Sequence, residues 1–160
     1  MNEKGFSHID NEGSANMVDI SSKEISKREA VASCEITLND QTYKNVKANQ
    51  MSKGNVINIA HLAGITASKK THDLIPLCHQ IPLNKVDLSF EFDDSNNQIK
   101  VISYVSTDWK TGVEMEALVG FSAGLLCVYD MFKSYEKDDL GQYPETRIND
   151  IKVLSKKTQN

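Results

Sequence analysis

The chain is 160 residues long, 39% hydrophobic and 25% charged, with a formal net charge of −4. That length suits one globular domain, which hides on the order of 70% of the surface its unfolded chain exposes and folds without a disulfide or metal staple. The acidic balance excludes a broad electrostatic grip on nucleic acid or an anionic membrane, so any anion must be held by a local cluster of cations.

Cys34, Cys78 and Cys127 form no C-x-x-C pair and leave an odd thiol, which makes a poor disulfide framework and a poor zinc site. They read as reduced thiols. The beginning, MNEKGFSHID, has no apolar signal core, and the longest uncharged stretch, the thirteen residues 117–129, is too short to span a bilayer. A soluble, cytoplasmic protein is expected, with no metal site.

In chain order, residues 1–30 are polar and turn-rich and read as an arm laid on a single domain, residues 31–160. Residues 31–38 alternate, with Ala32, Cys34, Ile36 and Leu38 on one face and Ser33, Glu35 and Thr37 on the other, which predicts a half-buried strand. A short polar stretch compatible with a helix follows. Val56, Ile59, Ala60, Ala63 and Ala67 then recur at spacings of three and four, predicting a helix with Asn55 as N-cap and Lys69 and Lys70 at its negative end. Pro76 and Pro82 bracket an irregular apolar loop that carries His79.

Residues 86–92 and 99–106 alternate on either side of the turn cluster DDSNN and predict a hairpin. Thr111 to Glu114 fits an S/T-x-x-E capping box opening a long helix through about Ser134, and residues 148–154 predict a last strand. The order strand, helix, strand, strand, helix, strand is that of an α+β, ferredoxin-like β-α-β-β-α-β sandwich. One sheet face carries the two helices, leaving the other for the arm or a second subunit.

At 100° per residue the long helix presents Glu114, Leu118, Phe121, Leu125, Val128, Tyr129 and Phe132 on one broad face, which apart from Glu114 in the first turn is its core face. The opposite stripe is Glu116, Gly120, Ala123, Cys127, Asp130 and Ser134, whose small side chains predict a close packing face, most simply between subunits. Asp130 and Lys133, three apart, form either a solvated surface pair or a proton shuttle whose cation neutralises developing charge. His79 reads either as a hydrogen-bonded structural residue or as a general acid or anion donor. Lys53-Gly54 at a helix start offers a weak anion-binding signal.

The segments FSHID, MVDIS, SKEISKREAVAS, KGNVINIAHLAGITASKKTHDLIPLCH, TGVEMEAL and VYDMFK, in this order between residues 6 and 137, together resemble the cyclic pyranopterin monophosphate synthases, the C proteins of molybdenum cofactor biosynthesis. The resemblance implies a ferredoxin-like subunit in a homohexamer built from dimers, with the active site at the dimer interface. It implies a phosphorus-oxygen lyase that converts 3',8-cyclo-7,8-dihydroguanosine 5'-triphosphate, a nucleotide-derived small molecule, into cyclic pyranopterin monophosphate and pyrophosphate, without a cofactor. On the matching positions, Asp130 and Lys133 of the YDMxK motif and Lys53 of the KG motif would be catalytic. Leu77, Cys78 and His79 of LCH, Glu114, Met115 and Glu116 of VEME, Arg28 and Lys156 would bind substrate.

The chain departs from the family pattern at Gln80 and Asn55, where proline and aspartate are usual, and in its ending VLSKKTQN, where the family carries a glycine-rich tail with a second lysine. Lys156 or Lys157 would replace the first tail lysine. A binding or regulatory paralogue with weakened chemistry is therefore the alternative. A ferredoxin-like RNA-binding module is disfavoured, since stacking aromatics and basic charge are both lacking.

Overall fold

The computed structural model describes residues 8, 9, 12–50 and 54–159. Its elements are β1 (Ser26–Thr37), α1 (Asp40–Lys47), α2 (Val56–Ser68), α3 (Thr71–Leu74), β2 (Lys85–Asp93), β3 (Gln98–Trp109), α4 (Glu114–Phe132) and β4 (Arg147–Gln159). The four strands form one antiparallel sheet in the order β2-β3-β1-β4, which is the ferredoxin-like arrangement.

The alternation of β1 does what period two requires: Ala30, Ala32, Cys34 and Ile36 are all buried beneath the helices. Antiparallel register sets Cys34 opposite Val101 and Ile36 opposite Ile99, so the core residues of two strands meet in cross-strand pairs. Phe121, Leu125, Val128 and Phe132 of α4 fill the layer above, while Leu118 and Tyr129, also expected in the core, are half-buried. The Asn55 side chain caps α2 as predicted, accepting a hydrogen bond from the Asn58 N–H at 3.0 Å.

Four features differ from the sequence reading. Strand β1 begins at Ser26, inside the stretch assigned to the arm, because Ser26 to Ala30 pair in register with Trp109 to Val105 of β3. Strand β4 likewise extends well beyond residues 148–154 on both sides. The capping box is not formed: Val113 is the N-cap residue of α4 and no side chain caps it. Instead the Glu114 carboxylate is drawn into an ion pair with Lys156, occupying space that a side chain on Gly112 would block.

The fourth difference is at Gly120 of the small-residue stripe, which together with the neighbouring Gly124 packs against α2 of the same chain. A Cβ on Gly120 would collide with Ser68 Oγ, one on Gly64 would come within 2.8 Å of the Gly120 carbonyl oxygen, and one on Gly124 within 3.1 Å of the Ala60 carbonyl oxygen. Helix α4 therefore has two buried sides, one on the sheet and one on α2. Its 19 residues are long and apolar enough to cross a membrane, but half of its most apolar window is buried in the domain, as befits a core helix.

Candidate active site

A cavity of about 460 Å³ opens at the N-terminal end of α4. Three segments build it: the loop between Pro76 and Pro82, the first turn of α4, and arm residues Val18, Ile20 and Lys23. Proline at both ends keeps the loop out of helix, so Leu77, Cys78 and His79 project beside Glu114, Met115 and Glu116. The His79 Nε2–H donates to the Val18 carbonyl at 2.7 Å, which sets the tautomer and fastens the arm to the loop. Lys110 Nζ donates to the Ser21 carbonyl at 2.8 Å and fastens the arm a second time.

Glu116 is only 3% exposed. Burial pushes its carboxyl up to about 7; its own backbone N–H opposes the shift and the nearby Glu114 carboxylate adds to it. An acid raised into this range can both give and take a proton near neutral pH. Cys78 is also displaced upward, by burial and then by Glu116, so its thiol stays protonated and is a poor nucleophile.

Two further expected cations, Arg28 on β1 and Lys156 on β4, lie outside the residues that line the cavity. Lys156 lies opposite Ala30, on the helix-facing side of β4, and reaches Glu114; Lys157 lies opposite Glu29 on the other face. Of the two lysines, Lys156 is the one that pairs with Glu114, a residue of the cavity wall. Arg28 donates from Nη1 to Thr158 Oγ1 at 2.9 Å, while its buried Nε has no partner, leaving one donor of the guanidinium fork unused.

The remaining candidates lie elsewhere. Lys133 Nζ is 2.7 Å from Asp130 Oδ1, both side chains exposed, and the aspartate holds the Lys133 ammonium above its ordinary value. A rise of 1.5 Å per residue puts this pair about 24 Å along α4 from Glu114. Helix α2 runs antiparallel to α4, with Gly64 on Gly120 and Ala60 on Gly124, so its Asn55 end lies beside the last turns of α4. Lys53 lies outside the described residues. The expected site residues thus divide into a cavity group and a helix-end group.

Sequence reasoning missed the arm's part in the cavity, although the MVDIS segment contains Val18 and Ile20. Lys23 next to it carried no separate signal. Among the described residues no group of three or more His, Cys, Asp and Glu side chains could hold a metal ion.

The MoaC family model matches residues 17–158, nearly the whole chain. The chain belongs to the MoaC family. A protein of Thermococcus kodakarensis, named probable cyclic pyranopterin monophosphate synthase, is 50% identical over 153 residues, 96% of either chain. One of Saccharolobus solfataricus with the same name is 53% identical over 142 residues, 89% of this chain and 94% of its own. A third, of Methanothermobacter thermautotrophicus, is 46% identical over 153 residues, 96% of this chain and 94% of its own, and is named probable cyclic pyranopterin monophosphate synthase accessory protein. The cavity group and the helix-end group are both contained in the matched segment.

Proposed function

We propose that this chain is a cyclic pyranopterin monophosphate synthase of molybdenum cofactor biosynthesis, a lyase that rearranges 3',8-cyclo-7,8-dihydroguanosine 5'-triphosphate and releases pyrophosphate. The observation that carries this reading is the cavity in which the buried acid Glu116 stands beside His79 and beside Glu114, which is itself paired with Lys156. A triphosphate brings about four negative charges, and a chain of net charge −4 must neutralise them locally. Lys156, the unused donor of Arg28, and His79 supply that neutralisation, and Lys23 adds a fourth donor at the rim. Substrate anions compete with Glu114 for Lys156 and with the Val18 carbonyl for His79, so binding loosens the arm.

Proton transfers fall to acids and bases of graded strength. Glu116 gives or takes a proton near neutral pH, while Asp130 and Lys133 form a charged pair suited to shuttling a proton and steadying an oxyanion. Since the pair stands far from the cavity along one rigid helix, the reading requires it to come from a second copy, in a dimer whose site spans the interface.

Incubating the purified protein with the authentic cyclic triphosphate tests this. One pyrophosphate and one pyranopterin, followed by mass spectrometry, are expected per substrate consumed. Tight binding without pyrophosphate release would instead favour the accessory role named for one relative.

A further inference from the structure

Past the end of α4 the chain reads KSYEKDD, a stretch whose charge predicts solvent exposure. Glu136 within it is only 4% exposed. Its two carboxylate oxygens share the Asn39 backbone N–H, at 3.2 and 3.0 Å, and Oε2 also accepts from the Thr146 hydroxyl at 2.5 Å. Asn39 is at the same time the N-cap of α1, accepting from the Thr42 N–H at 2.8 Å, and its Nδ2 donates to the Tyr135 carbonyl at 2.9 Å. Tyr135 N–H in turn reaches back to the Phe132 carbonyl at 2.7 Å. The chain just beyond α4 is thus tied to the junction of β1 with α1 and to the residue that precedes β4.

Burying a carboxylate is costly unless charge-assisted hydrogen bonds replace its water, and here they do. The neighbouring turn needs such an anchor. Helix ends fray, and an exposed ion pair such as Asp130–Lys133 is screened by solvent and holds its partners only weakly. Neither could hold two side chains still.

We propose that Glu136 is a positioning residue for the Asp130–Lys133 pair: by clamping the chain past α4 to Asn39 and Thr146, it holds the last turn in one orientation. The kinetic part of its test rests on the reading of the chain as a synthase; the spectroscopic part does not.

Three variants test the clamp: Glu136→Ala removes it, Glu136→Gln keeps an oxygen for the Asn39 N–H and an amide for Thr146, and Thr146→Val removes one partner. For each, kcat and KM are measured with the cyclic triphosphate, and the Lys133 side-chain titration is followed by NMR. Expected are a loss in kcat of at least tenfold for Glu136→Ala with KM within twofold, and a smaller loss of about threefold for Thr146→Val. In both, the raised Lys133 titration should fall toward that of an ordinary lysine, and Glu136→Gln should restore kcat and titration together. Should Glu136→Ala fail to fold, the shift of Lys133 in Thr146→Val decides. Unchanged Lys133 titration in the folded clamp variants, or Glu136→Gln as impaired as Glu136→Ala, would overturn the proposal. If the wild type makes no product, the synthase reading fails while the titration still judges the clamp.

Discussion

Glu116 and Asp130 are carboxylates of the same helix, and their surroundings give them opposite chemistry. Glu116 is sealed between α2, the loop of Cys78 and the start of α4, whereas Asp130 stands in solvent beside an ammonium. The raised Glu116 carboxyl makes a stability prediction whose sign is fixed. Between its ordinary value of 4.5 and about 7 the folded chain keeps a proton that the unfolded chain has lost, so stability falls as pH rises through that window. The slope is at most about 1.4 kcal/mol per pH unit. Urea unfolding at fixed protein concentration should show this slope in the wild type and a flatter profile in Glu116→Gln. Asp130→Asn should leave stability almost unchanged, as expected for an exposed and screened pair, while pyrophosphate release drops about a hundredfold or more. A comparable loss of stability would assign the pair to folding instead. The VEME motif singled out Glu116 together with Glu114, but its burial was not legible, because periodicity along one helix records how wide an apolar arc is, not that a second helix lies against the other side.

Helices α2 and α4 meet backbone to backbone, and that contact sets where both site groups sit. Gly120→Ala puts a methyl group onto Ser68 Oγ, whose hydrogen bond to the Glu116 carbonyl at 2.9 Å holds the first turns of α4. Such overpacking costs about 1–3 kcal/mol, and thermal unfolding should show a lowered midpoint with activity lost in parallel. Asn55→Ala removes the cap of α2 and should cost about 1 kcal/mol by the same measurement. The strands, the α2 cap and the hairpin were all legible because each is dictated locally, by alternation, by one side chain, or by a turn cluster. The unformed capping box was not, since its glutamate is claimed by Lys156, more than forty positions away, and no local pattern reports a competitor that distant. The early start of β1 was hidden for a related reason: Lys27, Arg28 and Glu29 look like an exposed arm until β3 and β4 are known to flank them.

At the scale of the molecule, the acidic balance conceals two separate concentrations of function. One is a cavity in which His79 stands beside a buried acid, with Lys156 paired to Glu114 at its wall; the other is the charged end of α4, next to the Glu136 contacts. Family membership, the order of motifs and the sheet topology agree on what the domain is, while the distance between the two groups says how it must work. In the proposed reading one copy supplies the cavity and a second supplies the Asp130–Lys133 pair, so each variant of one group can be complemented by a variant of the other. The decisive measurement mixes His79→Ala subunits with Asp130→Ala subunits, dissociates and reassembles them, and follows pyrophosphate release from the cyclic triphosphate. In a two-fold dimer, half of the random pairs are mixed, and each mixed pair holds one intact site and one doubly defective site. Two individually inactive proteins should therefore recover up to about a quarter of wild-type turnover by that symmetry argument. No recovery after verified subunit exchange would contradict a site shared between copies.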